Sequence, residues 1–458
     1  MLFDTTFNTL FDSIEVFKEE YGYTFSSVDI TKLVTGYADN IALITENAMA
    51  NELIIAHVEC WLNWSQTMKA KPRKCCATAM TNGKPCDPQL TINGLDMAWI
   101  KDKPFKFLGK QLLANASDAA ARKKVEKAAL DGVTKIDAVP LTGVLKMWIF
   151  EAVVMSHLSW DFMVHDTLTT WIKSHLGKVQ TKWYKTWSKY TKHGVVSIFY
   201  RSSKRFGLQM KEMPPFFKKQ QLIKCHLLKT SSDPEVRMLY EARTIKEKEL
   251  AKSDPLARNT KNCWRPCVEL EKLLSEVKHN SMFGCGVRSG NDSRGLGYDT
   301  KLKKKKSKQA AERATALEIL DEKMDELRYI HATQLAHFAE WCKWDGIMAQ
   351  DKLWQTAIYD SSDTLFQRTI KAIEDQCPSP QLLKVWKKIE HATCPVCSAN
   401  GCSLKHILCG CNKALTQNRY TWRHDSILLA IYQATREAVN RGLCTLQTNQ
   451  RRKWKKER

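Results

Sequence analysis

The sequence lacks any segment that would carry the chain into or across a membrane. Its N-terminus, MLFDTTFNTLFDSIEVFKEEYG, has no basic stretch followed by an apolar core and a small-residue cleavage site, so no secretory signal is predicted. The longest apolar run, Val144–Met155, is short and contains Lys146 and Glu151, which excludes a bilayer-spanning helix there. We therefore expect an intracellular protein with no membrane partner.

Acidic residues are also in short supply. The chain has 71 Lys and Arg against 49 Asp and Glu in 458 residues, a formal net charge of +22. A surface this basic attracts polyanions, and nucleic acid is the commonest polyanion inside a cell. Charge that serves only solubility usually needs a smaller excess, of either sign. We expect RNA and DNA as partners, and no pattern indicates a small-molecule substrate.

No disulfide framework is evident among the 16 cysteines. They are scattered, and only one group shows metal-ligand spacing. Together with the missing secretory signal, this distribution predicts a reducing compartment with mostly free thiols.

Apolar periodicity predicts an α+β protein that is mostly helical. We expect a small antiparallel β region followed by helices and a cysteine–histidine segment, with no repeat of fixed period. The proposed boundaries are 1–115 for the β-containing part, 116–250 for a helical region, 251–308 for a basic linker containing Gly and Pro, 309–390 for a second helical region, 391–435 for the cysteine–histidine segment and 436–458 for a basic tail.

The cysteine–histidine segment has the spacing of a zinc site. Cys394 and Cys397 are separated by two residues, and His406 and Cys411 follow in a C-x2-C-x8-H-x4-C pattern. Thiolate and imidazole donors in two close pairs can complete a tetrahedron around Zn²⁺. The alternative is a group of reduced, buried cysteines beside an unrelated histidine. Cys402 and Cys409 lie nearby, and either of them can replace one of the named ligands.

A second candidate site is the turn Tyr37-Ala38-Asp39-Asn40, between predicted strands at 33–37 and 41–45. A carboxylate at the tip of a hairpin can project into a cleft and hold Mg²⁺, which prefers oxygen ligands. Nucleotidyl transfer uses two metal ions about 3.5–4 Å apart, so at least two acidic residues must converge. Taken alone, the four residues also fit an ordinary turn.

The residues around this turn give it a family context. Gly36–Leu43 resembles the Tyr-Ala-Asp-Asp box of reverse transcriptases from non-LTR retrotransposons. The segments Trp61–Ser65 and Lys69–Cys75 resemble the helix and strand that follow this box, and Phe105-Lys106-Phe107-Leu108-Gly109 resembles the later hairpin that grips the primer. The order and spacing of these segments also fit. The cysteine–histidine segment resembles the knuckle that lies between thumb and endonuclease in the same family, so the resemblance extends from about residue 7 to 435.

The resemblance implies the end of a palm domain, a helical thumb and a zinc knuckle, without fingers or endonuclease. It also implies RNA-directed DNA polymerase activity by descent. Asn40 replaces the second aspartate of the box, however, and the family's other metal-binding aspartate lies upstream of anything present here. Asp39 alone cannot assemble a two-metal site. We expect an inactive polymerase, with Mg²⁺ bound only if the palm is active.

Aromatic residues alternate with lysines between residues 171 and 192, a composition that can stack on bases and neutralise phosphates. The alternative is that the aromatics are core and the lysines are the solvated face of amphipathic helices. For single tryptophans we favour core. The predicted nucleic-acid-binding residues are Lys71, Lys106, Lys182, Lys185, Lys189, Lys405, Arg419 and Arg423.

Three functional hypotheses remain: an active polymerase, a non-catalytic nucleic-acid-binding zinc protein, and a translated retrotransposon relic without a selected role. The basic runs at 301–308 and 451–458 are typical of nuclear localisation signals or loose phosphate binders. A solvated, disordered charge run is the alternative. With nucleic-acid partners, we expect the protein in the nucleus.

Overall fold

The structure is a computed structural model. It describes residues 2–37, 40–66, 68–101, 104–115, 117–191, 194–253, 264–282, 308–334, 354, 358–374 and 376–454. These residues form two compact units, one up to residue 334 together with 354–366, and a second from 367 onwards. Within this described part of the chain, no helix combines the length and the apolar character that crossing a membrane requires.

The first unit begins with short strands and helices. Five strand pairs are antiparallel and one is parallel, and among the described residues each pair is a separate two-stranded sheet. The antiparallel pairs are Tyr23–Phe25 with Ile30–Lys32, Val34–Tyr37 with Asn40–Leu43, Ala79–Thr81 with Lys84–Cys86, Thr91–Ile92 with Leu95–Asp96, and Phe105–Phe107 with Lys110–Leu112. The parallel pair is Cys76–Ala77 with Ala98–Trp99.

Both predicted hairpins are present. Tyr37 pairs with Asn40 at the end of the first one. In the second, Leu108 and Gly109 both have positive φ values, 46° and 86°, which is the backbone geometry of a tight two-residue turn. The helix Ala48–Ser65 follows the first hairpin, and the Asn47 side chain accepts a hydrogen bond from the Ala50 N–H at 2.8 Å.

The rest of the first unit is helical. Its helices are Leu2–Glu15, Lys18–Tyr21, Ala48–Ser65, Ala119–Asp137, Gly143–Ile149, Ser156–Val164, Thr169–Trp171, Lys178–Trp187, Ser197–Tyr200, Met213–Lys229, Pro234–Ser253, Pro266–Met282 and Lys308–Ala332, with π-helical turns at Phe150–Met155 and Ile172–Gly177 and 3-10 turns at Pro72–Lys74 and Ser203–Arg205. The α+β, mostly helical class is confirmed.

Two of the predicted segments contain helices that were not predicted from the sequence. The linker predicted at 251–308 contains the helix Pro266–Met282, whose Cys267, Leu270 and Leu273 are buried in a core shared with Lys308–Ala332. Its apolar residues recur at three- and four-residue spacing, a signal that the flanking Gly- and Pro-containing segments obscured. Residues 254–263 and 283–307 of the predicted linker, which include the basic run up to residue 307, lie outside the described residues.

The second unit contains the helices Pro380–Val385, Asn412–Thr416 and Thr421–Trp454, a π-helical turn at His406–Gly410, and most of a helix at Asp363–Ile373. The helix Thr421–Trp454 runs through residue 436, where the basic tail is predicted to begin. We call Thr421–Trp454 the C-terminal helix.

Candidate metal centre and nucleic-acid interface

Cys394, Cys397, His406 and Cys411 converge in the second unit. Each offers one ligand atom, and these four atoms all lie within 4.8 Å of one another. The Sγ atoms of Cys394 and Cys411 are 3.9 Å apart, and Cys397 Sγ lies 3.3 Å from His406 Nε2. We call these four residues the cysteine–histidine cluster.

The local backbone explains the convergence of the first two ligands. An isolated bridge between Thr393 and Asn400 closes a loop around them, and the Cys394 N–H donates to the Ala399 carbonyl at 2.9 Å. Ser398 and Gly401 take left-handed conformations, with φ values of 60° and 76°, which turn the chain sharply. The Cys394 and Cys397 side chains are thereby held at one end of the loop.

The other two ligands are positioned by a short helical turn and by Tyr420. His406 opens the turn His406–Gly410, and Cys411 follows directly after it. The Tyr420 hydroxyl accepts from the Cys411 N–H at 3.3 Å and donates to the Ile407 carbonyl at 3.1 Å. Tyr420 was not among the predicted site residues, and the sequence marks it only as an aromatic residue a short distance after the last ligand.

Electrostatics favours a thiolate in this cluster. The backbone N–H groups of Cys397 and Val396 point at the Cys394 sulfur and lower the pKa of Cys394 to about 6. Hydrogen bonds to the charged form stabilise it. By contrast, burial raises the pKa of Cys402 to about 11, so Cys402 keeps its proton at neutral pH.

The donor set fits a metal ion that prefers tetrahedral sulfur and nitrogen ligands. Zn–S and Zn–N bonds of about 2.3 and 2.0–2.1 Å imply tetrahedral edges of roughly 3.8 Å between two sulfurs and 3.5 Å between sulfur and nitrogen. The Cys394–Cys411 and Cys397–His406 separations of 3.9 and 3.3 Å are close to these edges. The cluster could therefore hold a metal ion and is compatible with a structural zinc.

The two neighbouring cysteines have different surroundings. Cys402 is fully buried and belongs to one small buried core with Cys394, Cys411 and Ala414. Cys409 is exposed, and its thiol donates to the Lys405 carbonyl at 3.2 Å. Among the described residues, the set of four converging ligand atoms includes neither of them.

Three predicted basic residues belong to the same segment. Lys405 precedes His406 and is exposed, as is Arg419. The Arg423 guanidinium lies 4.9 Å from the centre of the Tyr420 ring, a cation–π contact that keeps it beside the residue bracing the cluster. Positive charge therefore adjoins the candidate metal centre.

In the first unit, Lys182, Lys185 and Lys189 line one open groove of about 1030 Å³. Lys173 and Lys178 line it as well, so five lysines share one concavity, which we call the lysine groove. Lys185 is half-buried, its ammonium donates to the Gly194 carbonyl at 2.9 Å, and burial lowers its pKa. The single carboxylate in the lining, Glu212, is paired with Arg328 at 2.7 Å.

The aromatic residues of this region are mainly core. Tyr184, Trp187 and Tyr190 are buried, whereas Trp171 is half-buried and stacks on His175 at 4.9 Å between ring centres. The core interpretation of the aromatics is thus supported for the buried three. The lysines provide the groove's charge. Among the described residues that line it, Tyr190 is the aromatic one, and its burial leaves no exposed ring there on which a base could stack.

The predicted palm residues are distributed over separate elements. Lys71 is exposed just before the turn Pro72–Lys74, and Lys106 is exposed on the strand Phe105–Phe107. Asp39, the predicted metal-binding remnant, lies outside the described residues. Asn40 begins its strand and is exposed.

A scan against models of known protein families finds no match to this chain, and a search of curated proteins finds none either.

Proposed function

We propose that this chain is a reverse transcriptase-like protein of a non-LTR retrotransposon that binds nucleic acid without polymerising it. The observation that carries the nucleic-acid-binding part is the convergence of Cys394, Cys397, His406 and Cys411 beside exposed basic residues. The proposed descent is supported by the order of the sequence motifs and is compatible with the hairpin that pairs Tyr37 with Asn40.

In this proposal, Zn²⁺ bound by the cysteine–histidine cluster supplies folding energy. Four protein ligands close the coordination shell, so the centre is structural and offers no position for a substrate water. The small apolar cluster around Cys402, Ala414 and Tyr420 has too few members to hold the segment alone. Lys405, Arg419 and Arg423 then face phosphates from a fixed scaffold.

The lysine groove supplies a second set of phosphate contacts. Lys173, Lys178, Lys182 and Lys189 form no ion pair within the described part of the chain, so their charges are available to a polyanion. Contacts of this kind follow the phosphate backbone and carry little base information. Binding should therefore depend strongly on salt and weakly on sequence.

Metal analysis of the purified full-length chain tests the first half of the proposal. We expect one zinc per chain, lost in Cys397→Ser and retained in the matched variants Cys402→Ser and Cys409→Ser. Release of the metal by Cys402→Ser or Cys409→Ser, with retention in Cys397→Ser, would show that the ligand assignment is wrong.

Salt-dependent binding of a labelled nucleic acid tests the second half. Lys182→Ala should weaken binding. It should also reduce the magnitude of the slope of log affinity against log salt concentration by about 1, the value for one lost phosphate contact. Lys127→Ala, which removes an exposed lysine from the helix Ala119–Asp137, serves as the control. Equal losses in both variants would mean that overall charge, rather than the lysine groove, determines affinity.

Catalytic inactivity is tested by primer extension on an RNA template with Mg²⁺ or Mn²⁺. No template-dependent product is expected, because Asn40 offers an amide oxygen where the family has a carboxylate. A product that disappears in Asp39→Ala would establish the active-polymerase hypothesis instead.

A further inference from the structure

Between Thr421 and Arg441, where the structure describes its side chains, the C-terminal helix lies in solvent. From Thr421 to Arg441 every residue is exposed except Arg423, which is half-buried. The exposed set includes large apolar side chains, namely Trp422, Ile427, Leu428, Leu429, Ile431, Tyr432 and Val439, each at least half exposed. Helices in water gain most of their stability from packing an apolar face, and stretches that are apolar all round are normally buried.

One face of this helix has the spacing of a helix-pairing seam. Its residues are spaced alternately three and four positions apart, like the a and d positions of a coiled-coil heptad. The seam residues are Trp422, Asp425, Leu429, Tyr432, Arg436 and Val439. It spans about 26 Å at a rise of ~1.5 Å per residue.

The seam is complementary to itself when two copies run antiparallel. A two-fold axis between Ala430 and Ile431 places Leu429 opposite Tyr432 of a second copy. The same axis places Asp425 opposite Arg436 and Trp422 opposite Val439. Both apolar ends and the apolar centre then meet apolar residues, and two opposite charges meet at each intermediate position. Such isologous contacts are the usual basis of dimers.

Charge also decides against the parallel alternative. Parallel pairing would set Asp425 against Asp425 and Arg436 against Arg436, and like charges facing across an interface oppose association. Arg436 has no ion-pair partner within the described residues, and Asp425 contacts only the neighbouring His424 side chain, at 3.1 Å. Both groups are therefore available to a second copy.

The helix face around Ile427 and Ile431 is less suitable. Extended at the same spacing, it brings His424 opposite Arg441 in an antiparallel pair, so two basic side chains face each other across the interface. The acidic residues that contact them, Asp425 and Glu437, belong to their own chain. Its other members at this spacing, Ala434 and Ala438, are small. The charge pattern thus distinguishes two apolar faces of similar exposure.

The exposed area is of the size that a dimer needs. Trp422 and Tyr432 expose on the order of 150 Å² each and the aliphatic residues less, which gives roughly 600 Å² for the seam. Two copies would bury about 1,200 Å², at the lower end of the range of specific protein interfaces.

We propose that the C-terminal helix is a dimerisation surface on which a second copy of this chain packs antiparallel through the Trp422–Val439 seam. Asp425 and Arg436 set the register, because slippage by one turn would separate them from their partners. The interface uses a part of the chain that the proposed zinc centre and the lysine groove do not occupy.

Sedimentation analysis of the full-length protein over a concentration series tests this inference. We expect a monomer–dimer equilibrium that Leu429→Gln weakens at least tenfold. Ile431→Gln is the matched control, because Leu429 and Ile431 are each 56% exposed but lie on different faces, and it should change the dimer constant less than twofold. A wild-type protein that is monomeric throughout, or equal effects of the two variants, would overturn the proposal.

A charge exchange tests the register. Asp425→Arg and Arg436→Asp should each weaken the dimer at least tenfold, since each sets two like charges face to face. Combining them in one chain restores opposite charges at both positions, so the double variant should dimerise like the wild type. A double variant as weak as the single ones would refute the antiparallel register, whatever the effect of each substitution on the helix itself.

Discussion

Glu151 offers a stability prediction whose sign follows from its surroundings. It lies in the π-helical turn Phe150–Met155, where its carboxylate accepts hydrogen bonds from the Lys211 N–H and the Tyr184 hydroxyl. Burial outweighs these hydrogen bonds and raises the pKa of Glu151 to about 7, from an ordinary value of 4.5. The charged form is therefore the less favourable one in the folded protein.

Because the folded-state pKa is raised, the contribution of Glu151 to stability is fully present below pH 4.5 and is lost as the pH rises to about 7. The loss corresponds to about 3 kcal/mol of unfolding free energy. Glu151→Gln keeps the shape and an acceptor oxygen but cannot ionise. The unfolding free energy of the variant should equal that of the wild type at acidic pH and exceed it by about 3 kcal/mol at mildly alkaline pH.

Urea unfolding followed by tryptophan fluorescence at several pH values measures this difference. Subtracting the wild-type curve from the variant curve removes the titration of every other group. Glu241→Gln, at an exposed position, controls for the loss of one negative charge from a basic protein. Parallel curves for the wild type and Glu151→Gln between pH 4.5 and 7 would refute the reasoning.

Three further predictions concern single contacts. Gly109→Ala should lower the unfolding free energy by about 1–2 kcal/mol because alanine is strained in the left-handed backbone conformation of this residue. The loss should be larger still because the added Cβ would lie 2.6 Å from Trp160 Nε1. Gly83→Ala, at a left-handed glycine in open space, should show only the backbone strain when the two variants are compared in thermal melts. Asp161→Asn should cost about 2 kcal/mol in urea unfolding, because the buried Asp161 carboxylate accepts from Lys124 Nζ at 2.8 and 3.1 Å, and an unchanged midpoint would contradict this. Removal of the metal by a chelator should expose the buried Cys402 thiol to an alkylating reagent, as detected by mass spectrometry. The exposed Cys409 should react with or without metal. Protection of Cys402 after metal removal would mean that the segment folds without zinc.

The features predicted well from the sequence are those encoded over short distances. The hairpin at Val34–Leu43 and the four-ligand cluster both depend on residues that are close in the chain, so spacing and turn chemistry alone predict their geometry. The Lys178, Lys182 and Lys185 group in the lysine groove also follows from local helical periodicity, since three- and four-residue spacing places side chains on one face. Lys189 lies beyond the end of this helix, at a φ of 47°, and periodicity does not predict its place in the groove.

Features that depend on distant contacts could not be predicted in this way. His165 Nδ1 lies 2.8 Å from Asp118, and Asp161 pairs with Lys124, but the residues of each pair are separated by dozens of positions. Likewise, the groups that hydrogen-bond to the Glu151 carboxylate, the Lys211 N–H and the Tyr184 hydroxyl, belong to segments far along the chain. A single sequence records the residues in such clusters but not which of them meet.

The lysine groove has a consequence for how the protein responds to salt. Lys178 and Lys182 are four residues apart on one helix, and Lys185 follows three residues after Lys182, so each adjacent pair repels and costs about 0.2–0.5 kcal/mol in the free protein. Added salt shortens the Debye length from about 10 Å at 0.1 M to about 3 Å at 1 M, which weakens this repulsion between neighbouring side chains, and the helix should become more stable. The same salt weakens the phosphate contacts proposed for these lysines. One salt series should therefore move the melting temperature of the free protein and its affinity for nucleic acid in opposite directions.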